Sequence, residues 1–320
     1  MTTRRNFLKN TTMLAAGLGV SPLLSSSPLR SYQKEEVING KVRIAVIGVG
    51  MGCRDLQGAL TDNPWVHCVG MCDVNKVRLE EQLARFKKDF PEQTVSIKAY
   101  TDFREVLANK EIDGVIIATP DHWHPYIFAE ALKAGKAIYV EKPVGNSISE
   151  CNAMMDFQKK YKGVVTTGLW QTSQRYFRAA NEILKSGVLG DVYKVQLWLC
   201  QSTNPRPSVE DSEAPSTLDY DMWLGPAPER PFNNSRFRGW RGFWDYGGGQ
   251  QTDWGVHWID SAFDGLKALG LCDREYPDAV FSIAYKDPAS FNETPSCQTS
   301  IFQYKNFHIE WAQQVAHLYN

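Results

Sequence analysis

The chain has 320 residues, of which 43% are hydrophobic and 22% charged. That is an ordinary globular composition, at a length that suits two domains better than one. With 35 basic against 36 acidic residues and a formal charge of -1, the chain has no electrostatic footprint for nucleic acid or an anionic membrane. The 10 Trp and 13 Tyr make a heavy aromatic load. Aromatic rings serve cores first, but sugar sites also use them as stacking faces.

The N-terminus reads as a targeting segment and stands outside fold reasoning. Thr3-Arg4-Arg5-Asn6-Phe7-Leu8-Lys9 matches the twin-arginine export pattern. A modestly apolar stretch from Thr11 to Leu24 follows, then Ser25, Ser26 and Ser27. The stretch is too short to span a bilayer well, so no stable membrane anchor is expected. The expectation is export of a folded protein to the periplasm or beyond. The 7 Cys, at positions 53, 68, 72, 151, 200, 272 and 297, are odd in number and form no paired CxxC set. Neither a disulfide framework nor a zinc site is expected.

Residues 28–41 are polar and read as a linker. From Val42 strands and helices alternate. Val42 to Ile47 is a β-branched apolar run, Gly48-Val49-Gly50-Met51-Gly52 a turn, and Arg54 to Leu60 a helix. Val66 to Cys72 is a second strand ending at Asp73, and Asn75 to Lys88 an amphipathic helix. Asp113 to Thr119 has the apolar character of a buried parallel strand. Pro125 opens a helix that Gly135 closes. Ala137 to Val140 is the next strand, and Ser147 with Glu150 forms a capping box for the next helix. The alternation implies an α/β doubly wound parallel sheet. Beyond about residue 160 the pattern changes. Val164–Gly168, Val192–Leu199, Ala279–Tyr285, Thr299–Tyr304 and His308–Gln313 are strand-like and widely spaced. They suggest an α+β domain with a largely antiparallel sheet. The expected organisation is a signal and linker over 1–35, a dinucleotide-binding domain over 36–160, and a substrate and oligomerisation domain over 161–320.

Five motifs carry chemistry. Gly48-x-Gly50 follows a strand and opens a helix, the setting in which a backbone approaches a pyrophosphate. Cys53 stands where the third glycine of that fingerprint usually is. Asp73, at the end of the second strand, suits the two ribose hydroxyls of NAD and would repel the 2′-phosphate of NADP, with Arg78 nearby to blur the preference. Its plainer role is a helix N-cap. Thr119-Pro120-Asp121-His122-Trp123-His124 lies at a strand's carboxyl end, where cofactor-edge packing suits the histidines better than metal ligation. Lys142, in Glu141-Lys142-Pro143, could hydrogen-bond a reacting hydroxyl, its pKa depressed beside a positive nicotinamide. The most specific stretch runs from Gly247-Gly248-Gly249 to Asp253 and His257. Asp253 and His257 share one face of a regular helix, where a carboxylate holds the imidazole's tautomer and raises its basicity. That is a general-base arrangement.

Together the glycine turn, TP-x-x-x-H, EKP and GGG-x-x-x-D-x-x-x-H resemble the Gfo/Idh/MocA family of glucose–fructose oxidoreductase and inositol dehydrogenase, over roughly residues 42–315. The resemblance implies a Rossmann domain and an α/β domain with an open, mainly antiparallel sheet whose outer face commonly forms dimers. It implies Lys142, Asp253 and His257 as the catalytic trio of an oxidoreductase acting on a sugar, glycoside or cyclic polyol. His257 would take the hydroxyl proton, Asp253 would orient or bind substrate, and Lys142 would bridge the hydroxyl and the ribose. Gly48, Gly50, Met51, Gly52, Asp73, Thr119, Pro120, His124, Glu141 and Lys142 would bind a tightly held NAD, with NADP the lesser option and no metal. Arg175, Arg241, Trp244 and Tyr246 are the expected substrate contacts, beside the Trp/Pro-rich run Asp221–Pro226 and the crowd of Arg236, Arg238, Trp240 and Phe243. The resemblance also leads one to expect further strands beyond Asn320.

Two other readings remain open. An NAD-dependent glycosidase like those of glycoside hydrolase family 109 would oxidise, eliminate, hydrate and reduce, with Tyr246 and Asp260 as conjectural acid/base groups. A sugar-binding protein on a vestigial fold is the third, and intact Lys142, Asp253 and His257 argue against it.

Overall fold

The structure is a computed structural model that describes residues 42–50, 63, 65–91, 97–203, 206–272 and 276–317. The expected signal segment, the linker, Met51, Gly52, Cys53 and the helix from Arg54 lie outside the described residues. The chain divides into two compact units. The first takes in the chain up to Glu141, Ser147–Thr166 and Glu213–Pro231; the second takes in Lys142–Asn146, Thr167–Ser212 and Phe232 onward.

The first unit is built on strands β1 (Val42–Ile47) and β2 (Val66–Cys72), helix α1 (Lys76–Asp89), β3 (Lys98–Tyr100), α2 (Phe103–Ala108), β4 (Gly114–Ile117), α3 (His124–Lys133), β5 (Ala137–Val140), α4 (Ile148–Tyr161) and β6 (Val165–Thr167). The sheet has six strands in the order β3-β2-β1-β4-β5-β6. The pairings β1/β2, β1/β4, β2/β3 and β4/β5 are parallel. The strand order reverses between β1 and β4, so their carboxyl ends open the crevice where such sheets bind ligands. All four residues of β4 are buried, which explains its unbroken apolar run. Arg43 fixes β1 beside β4 through two bonds to the Asp113 carboxylate, at 3.0 and 2.8 Å. Ile44, Val46, Met71, Leu79, Phe86 and Ile116 pack as one core.

Local signals place the helices. Asn75 caps α1 by accepting from Arg78 N at 3.1 Å. Ser147 and Glu150 form the capping box of α4, each side chain accepting from the other's backbone N–H. Gly135, at φ 70°, ends the chain's helical course after α3. The segment Glu213–Pro231 returns to this unit and seats a short helix, Tyr220–Leu224, against the turn Asp121–Trp123. There the Trp123 indole donates to the carbonyls of Met222 and Trp223 at 3.1 and 3.0 Å. Asp221–Pro226, expected beside the substrate, thus contributes Trp223 and Leu224 to the packing of the first unit, both buried.

The second unit contains α5 (Arg175–Lys185), β7 (Lys194–Thr203), α6 (Val256–Ala268), β8 (Ala279–Tyr285), β9 (Cys297–Gln303) and β10 (His308–His317). Its sheet runs β7-β10-β9-β8. β9 is antiparallel to both neighbours, whereas β10 and β7 are parallel, so the sheet is mixed. Leu266, Cys272, Tyr304, Phe307 and Ile309 form a core joined by Val195, Leu197 and Phe263. Trp198, Phe281, Ile283 and Tyr285 are exposed instead. Among the described residues no helix is long and apolar enough to cross a membrane.

Candidate active site

The glycine turn owes its shape to close backbone packing. Gly48 has φ +88°, and a Cβ there would lie 2.6 Å from the backbone of Ala118 and Thr119. Only glycine fits on both counts. The turn after β1 therefore lies directly on the loop after β4. Gly48 N–H donates to Cys72 O at 2.8 Å, and Val49 N–H to Asp73 Oδ2 at 3.0 Å. Asp73 Oδ1 accepts from Asn75 N at 2.8 Å. Asp73 thus binds the turn, while the cap of α1 belongs to Asn75. Burial raises the Asp73 pKa, and the two backbone N–H donors and Arg78 oppose that rise. Among the described residues, the Arg78 guanidinium comes nearest to where a Cβ on Gly50 would sit, at 3.6 Å.

On the adjoining loop His124 Nε2 bonds Thr119 O at 2.9 Å, and His122 Nε2 bonds Trp223 O at 3.0 Å. Both imidazoles are buried. Among the described residues no group of His, Cys, Asp and Glu could hold a metal ion. Tyr139 donates to Glu141 at 3.2 Å. Thr119 Oγ1 is buried without a partner among the described residues. The positive-φ turn at Gly48, the carboxylate ending β2 and the orphan hydroxyl of Thr119 fit a dinucleotide at the carboxyl ends of β1, β2 and β4.

The second unit gathers the charged residues. Gly249, at φ +68°, packs against Thr294 and leads into a π-helical turn, Gln251–Gly255, that continues as α6. Gly255 seats on the buried Trp311 ring, where a Cβ would lie 3.3 Å from it. π-turns of this kind are frequent at functional sites. Lys142 Nζ donates to Asp253 Oδ1 at 2.5 Å and to Asp253 O at 2.8 Å. Arg241 Nε lies 3.1 Å from the same Oδ1, with its guanidinium 4.2 Å over the Trp240 ring. The Lys142–Pro143 peptide is cis.

His257 is 4% exposed, and its Nδ1 has no hydrogen-bond partner among the described residues. Its pKa is lowered from 6.5 to about 4, mainly by burial and then by the Lys142 charge, with Asp253 pulling the other way. One expectation changes in its balance. Asp253 does raise the imidazole pKa as expected, but burial and the Lys142 charge outweigh it. The result is an imidazole that stays neutral at ordinary pH and can accept a proton.

The expected trio Lys142, Asp253 and His257 is brought together with Arg241. Tyr246, expected at the substrate, is fully buried, and Asp260 is 5% exposed. Arg236 is likewise buried and pairs with Asp211 at 3.5 Å. Trp244 is exposed, and its backbone N–H donates to Glu293 at 3.1 Å. Arg175 is exposed at the start of α5. Sequence reasoning missed two indoles around His257: Trp170 at 5.7 Å and Trp254 at 6.2 Å between ring centroids, both edge-on. The available signal for Trp170 was its place just after the last strand of the parallel sheet, where ligand-facing loops begin.

A family model described as the oxidoreductase family's NAD-binding Rossmann fold matches residues 42–169. A second, the same family's C-terminal alpha/beta domain, matches residues 178–267. The chain is 33% identical over 163 residues to an alpha-N-acetylgalactosaminidase of Tannerella forsythia, covering 47% of this chain and 34% of that protein. It is 24% identical over 151 residues to an inositol 2-dehydrogenase of Salmonella typhimurium, covering 47% and 43%. It therefore spans less than half the length of these curated relatives. Its fold is similar to that of the WlbA dehydrogenase from Bordetella pertussis, solved in complex with NADH and UDP-GlcNAcA, with a TM-score of 0.65, 17% identity, and coverage of 86% of this chain and 73% of that one. The two family models lie in tandem over most of the described chain, on the parallel-sheet unit and on the segment that carries Asp253 and His257, and the chain belongs to the Gfo/Idh/MocA oxidoreductase family.

Proposed function

We propose that the protein is an NAD-dependent oxidoreductase acting on a secondary hydroxyl of a sugar, glycoside or cyclic polyol. One observation carries this reading: the buried His257, unpartnered at Nδ1 and made acidic by burial, stands beside a Lys142–Asp253–Arg241 charge cluster. Such an imidazole takes a hydroxyl proton without first losing one of its own. Lys142, held by the backbone carbonyl and Oδ1 of Asp253, is placed to donate to the same hydroxyl oxygen and stabilise developing negative charge. Arg241 shares the same Asp253 Oδ1 and adds a second positive charge beside it. Gly48, Gly50, Asp73, Thr119, Pro120, His124 and Glu141 would hold the dinucleotide, with the Asp73 carboxylate favouring NAD over NADP. Bound NAD would supply the hydride acceptor.

A second reading is supported by the names of relatives. Alongside the Tannerella forsythia enzyme, proteins of glycosyl hydrolase family 109 match at 27% and 28% identity. In that reading the oxidation is transient and the product is a cleaved glycoside. Three features complete the proposal. The twin-arginine motif directs export to the periplasm, which suits a tightly held NAD that travels with the folded chain. The exposed apolar face bearing Trp198, Phe281 and Ile283 supports a homo-oligomer. Nothing in composition asks for nucleic acid.

The test is to purify the protein without added cofactor, identify released nucleotide by mass spectrometry, and screen sugars, polyols and aryl glycosides. Near-stoichiometric NAD with reduced nicotinamide accumulating on a sugar supports the oxidoreductase. Glycoside cleavage without accumulation supports the hydrolase. Failure to bind NAD would sink both.

A further inference from the structure

We infer that the Trp170 indole is the platform on which a neutral pyranose or cyclitol ring stacks while one of its hydroxyls is presented to His257. This rests on His257 as the proton acceptor and adds the surface that holds its substrate. Trp170 opens the turn Trp170–Ser173 between β6 and α5. Its neighbour Gln171 is only 5% exposed and accepts from Tyr176 Oη at 3.1 Å, which anchors the turn. Trp170 itself is 47% exposed.

A lone exposed indole is ordinary on a protein surface. What distinguishes this one is its neighbour. The ring meets the His257 imidazole at 66°, with 5.7 Å between centroids, and that imidazole is almost wholly buried with an unsatisfied nitrogen. Trp254 contacts the same imidazole at 6.2 Å but is only partly exposed. Of the two indoles against the base, Trp170 is therefore the more exposed.

Its chemistry selects a ligand class. The face of an indole is electron-rich and apolar. The axial C–H bonds on one side of a six-membered sugar or cyclitol are weakly positive and apolar, whereas its hydroxyls radiate from the rim. Stacking the C–H side on the indole leaves the rim hydroxyls free for His257 and Lys142. A carboxylate or phosphate laid on the same face would be repelled.

The test uses the full chain, W170A and W170F. The probes are methyl β-glucopyranoside, methyl N-acetyl-α-galactosaminide and myo-inositol, with glycerol as the ringless control. Binding is followed by saturation-transfer NMR, and NAD reduction is measured separately. The expected result is that W170A weakens binding of the preferred ring about 10-fold or more. W170F should return it to within about 3-fold, because a phenyl face still stacks. NAD affinity, melting temperature and the response to glycerol should not move. Unchanged ring affinity in a folded W170A, or no ring binding to the wild type, would overturn the inference. Ring binding that depends on Trp170 without any NAD reduction would keep the platform and remove the redox reading.

Discussion

The glycine turn of the first unit and the charge cluster of the second are built from different materials. The turn is mostly backbone: Gly48 against Ala118 and Thr119, with Val49 and Asn75 N–H groups on Asp73. The cluster is mostly side chain: Lys142, Asp253 and Arg241 around one carboxylate, with His257 and two indoles alongside. A backbone site tolerates almost no change of shape and draws on charge only through Asp73. A side-chain site tolerates change of shape but depends on every charge. Variants in the two regions should therefore fail differently.

The sharpest separation is expected from H257Q. It should lower kcat by about 10²- to 10⁴-fold, the range for loss of a positioned proton acceptor, and leave NAD affinity unchanged by calorimetric titration. G48A should do the reverse. It puts a Cβ into the Ala118 backbone at positive φ, at a cost of about 2–4 kcal/mol seen as a lower melting temperature and lost NAD binding. A G48A protein with wild-type stability would refute the close packing of the two loops.

The pH response sharpens the comparison further. Folded His257 has a pKa near 4 against an ordinary 6.5, so between these values the unfolded chain binds more protons than the folded one. The stability this group contributes is complete above pH 6.5 and lost as pH falls toward 4, amounting to at most about 3 kcal/mol. Urea melts of wild type and H257Q across that window measure it; identical pH slopes would contradict the buried neutral imidazole. D73N, which weakens a charge-assisted bond to Val49, should cost about 1.5–3 kcal/mol. The smallest effects have opposite signs: K142M should raise the imidazole pKa and D253N lower it further, each read by NMR titration of His257. Equal shifts in one direction would contradict the charge arrangement.

The two regions also differed in how legible they were. β1, β2, β5 and β8 run over the same residues that the sequence pattern predicts, and the capping box of α4 is formed by Ser147 and Glu150. Those signals are local, a period of apolar residues or a cap within one turn. The three-residue β3 and the six-residue α2 are too short to show a period. α5 was missed because Gln174 provides no side-chain cap and the helix buries no residue. Within the site, the positions of Lys142, Asp253 and His257 could be read from spacing and family resemblance. Their pairing could not, because Lys142 meets Asp253 from 111 residues away and Arg241 meets it from outside the helix. Tyr246 carried a substrate reading in sequence and a core role in space for the same reason: burial is a property of the fold.

The central claim is that His257 accepts the proton of a substrate hydroxyl as NAD is reduced. The most direct measurement is single-turnover mixing of NAD-loaded wild type and H257Q with the preferred sugar or glycoside, following reduced nicotinamide by absorbance. The account predicts a rapid rise in the wild type and a rise at least about 100-fold slower in H257Q at equal NAD occupancy. Equal rates in the two proteins, or no reduction by an NAD-loaded wild type across the whole sugar and glycoside panel, would contradict it.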